Sequence, residues 1–396
     1  MMYDVGIIGL GPAGLKFAQL ALAHGLGVVC FEKSFCGGTC LNLGCIPTKA
    51  ILHDVEAGIA DWSAILARKN SIVEKFRKAV EKDLTAKGAK LVFAEATITG
   101  STVQAGSEDF ECARIIATTG SKPLEIKGLE FDGKFILSSD DLFDLPEVPK
   151  SIAIVGSGAI GVEWARIFNT LGSEVAIIEK ASNLLPASDL DVSKRLERMF
   201  KMAGVKFYKD CEVLKIEDGH LTLSNGEMLT PEKVLVAVGR EAIAIEGCEN
   251  IGDASAPIKL AHYASTQAQR MFEHLYEGAA LKEISPLEVP SIVYGTPEIA
   301  AIGVREQDAP EGTKIYNLPV VFLAKAHCNN NIEGFIKIIA DTDQKIIGAH
   351  IISKEASALI TQIAILMKFG ATVEDVKDII FPHPTLSEGI FEALHQ

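Results

Sequence analysis

Residues 3–33 read YDVGIIGLGPAGLKFAQLALAHGLGVVCFEK, and residues 150–180 read KSIAIVGSGAIGVEWARIFNTLGSEVAIIEK. The two align without a gap. Each opens on a short apolar run of the kind that forms a buried parallel strand. Each then turns at three glycines (Gly9, Gly11 and Gly14; Gly156, Gly158 and Gly161), passes through a helical segment and a second β-rich run, and ends on an acid, Glu32 or Glu179. The first glycine permits the tight turn, the second lets a pyrophosphate approach the backbone, and the third lets helix pack on strand. The helix N-terminus offers free N–H groups and a positive dipole end to phosphates. The acid can accept hydrogen bonds from ribose hydroxyls. One GxGxxG could be an ordinary glycine turn; strand, turn, helix, strand and acid repeated in register predicts two dinucleotide sites. At the second, Glu179 would repel a 2′-phosphate and so favours NAD over NADP, a preference that Lys180 beside it softens.

The rest of the chain sets bounds. Its 396 residues suffice for two or three domains, and 48 % hydrophobic with 23 % charged residues is ordinary globular composition. A formal net charge of −14 argues against a nucleic-acid partner. Eight cysteines are too few for a disulfide-built scaffold. The N-terminus MMYDVGIIGLGPAG lacks a secretory pattern, and no apolar run reaches the ~18 residues of a membrane span. The expected setting is a soluble protein of the reducing cytoplasm, where a disulfide would serve chemistry rather than architecture. Residues 51–88 read as largely helical, 89–118 as short strands and turns, and 183–240 as strands around a helix at 189–203. Pro286 and Pro290 flank a boundary. Beyond it, 291–352 reads as strand-rich, and 354–369 and 372–380 as helical.

Residues 37–49, GGTCLNLGCIPTK, hold Cys40 and Cys45 with four residues between them. As a structural crosslink, so short a loop would contribute only roughly 2 kcal/mol. As a cluster site, Cys36, Cys40 and Cys45 would need a further cysteine where Thr48 stands. Two unrelated thiols are a third reading, since buried cysteine is a common small hydrophobe. The fourth, a redox-active pair, requires a break in helical geometry. Residues five apart on a helix point ~140° away from each other, whereas a disulfide needs Cα atoms within ~7 Å. Gly44 and Pro47 offer the irregularity. Lys49, four residues past Cys45, would share a helix face with it and favour its thiolate.

With both repeats and CLNLGCIPTK in view, the chain resembles the FAD-dependent pyridine nucleotide–disulfide oxidoreductases from residue 3 to about residue 394. Within them it is most similar to the lipoamide-oxidising branch, because glutathione and trypanothione reductases tend to carry CVNVGCVPKK instead. The resemblance implies an α/β fold of two Rossmann-like units, for FAD and NAD, with a C-terminal α+β dimerisation unit. The implied boundaries are 1–145 and 249–284 for the FAD unit, 146–248 for the NAD unit and 285–396 for the dimerisation unit. It implies FAD contacts from Gly9, Gly11, Gly14, Glu32, Lys33, Gly38, Thr39, Lys49, Thr119, Gly120, Gly252 and Asp253. NAD contacts would come from Gly156, Gly158, Gly161, Glu163, Glu179 and Gly239.

Cys45 would face the flavin and Cys40 the substrate, with Glu163 pairing Lys49. FPHPTLSEGI, at 381–390, supplies His383 as acid/base and Glu388 to orient its ring; a histidine between Pro382 and Pro384, read alone, is more often a rigid turn. That histidine would act in the other subunit of a homodimer. The implied substrate is the lipoyl group of a 2-oxoacid dehydrogenase complex or of the glycine cleavage system. The alternatives are a reductase of another disulfide or of a metal ion, and a flavin-binding redox sensor without turnover. Mercuric reductases carry an extra cysteine pair near the C-terminus, where this chain reads EGIFEALHQ. Three departures stand out: 241–251 is short, the stretch between Lys49 and ATTG is short as well, which suggests trimmed helices, and Phe381 replaces a histidine common in the lipoamide enzymes.

Overall fold

The structure, a computed structural model, describes residues 2–395. The first sheet runs in the order Lys90–Val92, Val28–Phe31, Met2–Ile8, Glu108–Ala117, Thr102–Ala105, Ala96–Thr99. Its first four strands are parallel and the last three form an antiparallel meander. Val5, Ile7 and Ile8 are buried, as expected of a strand covered on both faces. Pro12 starts the helix Pro12–Ala23, where its missing N–H is no loss. That helix packs on Ala261–Glu277, so the late segment 249–277 returns to the first sheet.

The second sheet repeats the plan: Lys206–Tyr208, Glu174–Ile178, Ser151–Val155, Lys233–Val236, Ile136–Leu137, all parallel. Ile136–Leu137 thus joins this sheet ahead of residue 146. A three-stranded antiparallel sheet, Val213–Glu217, His220–Leu223, Met228–Leu229, flanks it. The chain passes between the two units twice, once out and once back, and the crossings bond to each other. Ser121–Pro123 pairs antiparallel with Arg240–Ala242. This ribbon is how the short 241–251 segment returns.

The C-terminal unit is a five-stranded antiparallel sheet, Ser291–Val293, Glu298–Gly303, Ile346–Ser353, Phe335–Ala340, Lys314–Pro319, backed by the helix Ala356–Lys368. The helix expected at 372–380 covers only Val373–Lys377, opened by a Thr372–Asp375 capping box. Within Phe335–Ala340 every residue is buried, Lys337 included. Its ammonium bonds Asp189 at 2.8 Å, Asp191 at 2.6 Å and Glu306 at 2.5 Å, which ties this unit to the second. Those three carboxylates outweigh burial and raise the Lys337 pKa. Among the described residues no helix is long and apolar enough to cross a membrane.

Candidate active site

The cysteine segment folds as two helices, Gly38–Asn42 and Cys45–Glu56, broken at Leu43 and Gly44. The required break is present. Thr39 O closes on Gly44 so tightly that a Cβ there would lie 2.9 Å from it. Cys40 therefore sits inside the short helix and Cys45 at the first position of the long one, where free N–H groups favour a thiolate. The two sulfurs titrate together. The Cys40 thiol hydrogen-bonds the Cys45 sulfur and, with Lys49, holds Cys45 down to about 7 against the opposing effect of burial. Cys40, the donor of that bond, is raised in consequence.

Lys49 lies on the Cys45–Glu56 helix and reaches Glu163 Oε1 and Oε2 at 2.9 and 2.7 Å. Glu163 is buried on the helix Ala159–Thr170 of the second unit. It also accepts 3.0 Å from the backbone N–H of Tyr294 in the C-terminal unit. Lys49 Nζ stands 4.6 Å from the Tyr294 ring centroid. Three units thus meet around one ammonium. No sequence motif marks Tyr294.

The two glycine turns share their backbone bonds to the acid. Gly9 and Gly156 have φ of 96° and 100°. Glu32 accepts from the N–H of Leu10 at 2.9 Å and of Ser34 at 3.0 Å. Glu179 accepts from Ser157 N at 2.8 Å and from Ala181 N at 2.8 Å, and takes Ser157 Oγ as well, at 2.6 Å. The carboxylates hold their turns and keep spare lone pairs. A Cβ on Gly158 would meet nothing within 4 Å. That open backbone, at a helix N-terminus beside a buried carboxylate, fits a dinucleotide.

Further round the first site, Thr119 Oγ1 donates to Ile243 O, Gly120 has φ 77° and Gly252 has φ 68°. Asp253 accepts from Ser121 Oγ at 2.8 Å, and Ser121 in turn accepts from Arg240 Nε at 2.9 Å. Lys33 is exposed, while Gly38 and Thr39 begin the short cysteine helix. Gly239, with φ 131°, precedes the returning strand of the ribbon. Lys180 bonds Glu212 at 2.8 Å on the exposed surface.

His383 and Glu388 come together as a pair, Nδ1 to Oε1 at 2.7 Å. Thr385 N donates to the other carboxylate oxygen at 2.7 Å and, with His383, holds Glu388 below the ordinary carboxylate range. An ionised Glu388 only accepts, so Nδ1 carries the hydrogen and Nε2 is turned free. The His383 side chain is 71 % exposed. Among the described residues it makes no hydrogen bond to the cysteine pair.

Residues 3–268 match the family described as pyridine nucleotide-disulphide oxidoreductase, and 289–394 match the dimerisation domain of that family. The chain is 33 % identical to the dihydrolipoyl dehydrogenase of Bacillus subtilis, over 99 % of this chain and 97 % of that one. That alignment spans 461 positions, so segments of the relative have no counterpart in these 396 residues. Identity to the dihydrolipoyl dehydrogenase of Mycoplasma genitalium is 32 %, over 98 % and 97 %. Among solved structures, the Cu(II) complex of the HOCl-induced flavoprotein disulfide reductase RclA from Escherichia coli superposes with a TM-score of 0.92. It is 25 % identical and covers 100 % of this chain and 99 % of its own. FAD and NAD are the cofactors this membership brings. A duplicated nucleotide turn, a thiol pair at a helix break and a dimerisation domain agree with these matches: the chain belongs to the pyridine nucleotide–disulphide oxidoreductases.

Proposed function

We propose that the chain is a homodimeric, NAD-dependent dihydrolipoamide dehydrogenase. The observation that carries the reading is the lowered Cys45 beside the Lys49–Glu163 pair, in a chain 30–33 % identical to dihydrolipoyl dehydrogenases across nearly its whole length. In the oxidised enzyme Cys40 and Cys45 form one disulfide. A dihydrolipoyl thiolate attacks Cys40 Sγ, the Cys40–Cys45 bond breaks, and Cys45 leaves as a thiolate that Lys49 stabilises. The second lipoyl thiol closes the lipoyl disulfide and releases Cys40. His383 of the partner subunit takes the proton from the attacking thiol, and Glu388 holds that ring in the accepting tautomer. When bound, FAD supplies the two-electron link between the thiol pair and NAD. The net reaction is dithiol plus NAD⁺ to disulfide plus NADH plus a proton.

Gly9, Gly11, Gly14, Glu32, Thr119, Gly120, Gly252 and Asp253 would hold FAD; Gly156, Gly158, Gly161, Glu179 and Gly239 would hold NAD. Phe322, Phe369 and Ile380 are 72 %, 84 % and 94 % exposed on the C-terminal unit, apolar surface that pairing would cover. The lipoyl groups would be those of a 2-oxoacid dehydrogenase complex or of the glycine cleavage system. The test mixes the FAD-loaded protein with dihydrolipoamide and NAD and follows NADH. No NADH, in a protein whose flavin NADH readily reduces, would sink the lipoyl assignment. It would favour the second reading, an NADH-driven reductase of another disulfide or of a metal ion, which the likeness to a disulfide reductase solved with Cu(II) supports.

A further inference from the structure

The helix Ala159–Thr170 sends two charged side chains from one face towards the C-terminal unit, Glu163 and, three residues on, Arg166. Both hold the same loop. Glu163 accepts from the N–H of Tyr294, and Arg166 Nη1 donates to Pro297 O at 2.7 Å. Between these two bonds the guanidinium lies against Gly295, which has φ 145° and on which a Cβ would strike Nη1. Only a glycine leaves the guanidinium that place.

Arg166 Nη2 is buried and has no hydrogen-bond partner among the described residues. A cation so placed carries a desolvation cost that one carbonyl does not offset. Burial brings the guanidinium down to about 10, while Glu56, at the end of the cysteine helix, and Glu163 hold it up. Charges therefore alternate across the junction of the three units: Lys49, Glu163, Arg166, Glu56. The ionisable groups facing Cys45 there are Cys40, Lys49, Glu163 and Tyr294. Of these, Lys49 favours the Cys45 thiolate and Glu163 works against it. With no second cation, the carboxylate would cancel much of the charge on which the thiolate depends.

We propose that Arg166 is a positioning residue for the thiol chemistry: it fixes the Tyr294–Pro297 loop and offsets Glu163, leaving the Lys49 charge to act on Cys45. It works through Glu163 and touches neither substrate nor thiol. The proposal rests on Cys45 being the thiolate that Lys49 stabilises, as in the reading above, and is indifferent to which disulfide is exchanged at Cys40.

The experiment follows the pH midpoint of Cys45 alkylation by iodoacetamide in the FAD-loaded protein, reduced with dithiothreitol. Peptide mass locates the label, because Cys328 is exposed as well. Removing a cation disfavours a thiolate, so Arg166→Gln, which can still donate to Pro297 O, should raise the midpoint by about half a pH unit. Arg166→Lys, which keeps the charge and loses the fork, should restore it. Should Arg166→Gln not fold, Gly295→Ala displaces the guanidinium without removing any charge and should raise the midpoint in its place. A lowered melting temperature with the midpoint unmoved would make Arg166 a clamp on the loop and nothing more, and would overturn the proposal. A midpoint that stays raised in Arg166→Lys would overturn it too. If dihydrolipoamide gives no NADH but the midpoints move as expected, the lipoyl reading falls and the role of Arg166 stands.

Discussion

The two glycine turns are built alike and roofed differently. Around Gly9 and Gly156 the backbone takes the same path, and a Cβ on Gly14 or on Gly161 would lie 2.1 Å from the carbonyl oxygen of Gly9 or Gly156. Above them they part. Over the first turn Gly38 closes in, so that its own Cβ would come within 2.6 Å of Gly11 Cα, whereas a Cβ on Gly158 would meet nothing within 4 Å. The acids differ too, since Glu179 spends one more acceptor site, on Ser157 Oγ, than Glu32 does on Leu10. A cofactor kept through every turnover suits a covered turn; a nucleotide that exchanges suits an open one.

The hardest blow to that comparison would be at the third glycine. Gly14→Ala should yield protein largely without flavin, from overpacking against backbone of about 3 kcal/mol. Gly161→Ala, with the same clash against its own turn's carbonyl oxygen, should stay yellow and lose NAD binding. Flavin absorbance and NAD titration read the two, and equal loss of both nucleotides in either variant would show that the turns are not independent. Next comes Gly158→Ala, whose methyl fills space rather than striking protein. NAD affinity should fall by about ten-fold through the blocked pyrophosphate approach, with the melting temperature unchanged.

The thiols stand beside the covered turn. With Cys45 held at about 7, its alkylation rate should rise through neutral pH as the thiolate forms. Lys49→Met removes a charge that favours the thiolate, so the midpoint should move up towards the ordinary thiol value of about 8.5. A midpoint unchanged in that variant would deny Lys49 its role. The smallest effect is expected from Ser157→Ala, which returns an acceptor site to Glu179. NAD affinity should change by less than about three-fold, as calorimetry would show.

Much of this was legible beforehand because it is local. Each turn lies within 31 residues of contiguous chain, and the Gly44 break and the His383–Glu388 pair lie within short spans. What escaped is long-range. Tyr294 and Glu163 are 131 residues apart, and Lys337 meets Asp189 across 148. Lys337 sits in GFIKIIA, a run that reads as plain buried strand, and nothing nearby in the chain announces three carboxylates waiting for it. The shortened 241–251 segment posed the opposite difficulty. Its destination depended on Ser121–Pro123, far upstream, as a pairing partner.

That pairing has a mechanical consequence. Two separate linkers would let the second unit swing and twist freely against the first. Here the outgoing and returning chains are bonded in register, Arg240 to Pro123 and Ala242 to Ser121, and neither can rotate without the other. The ribbon ties the two crossings into one connection rather than a pair of strings. Glu163 lies beyond that ribbon and Lys49 before it, so the bond between them is a second tie across the same junction.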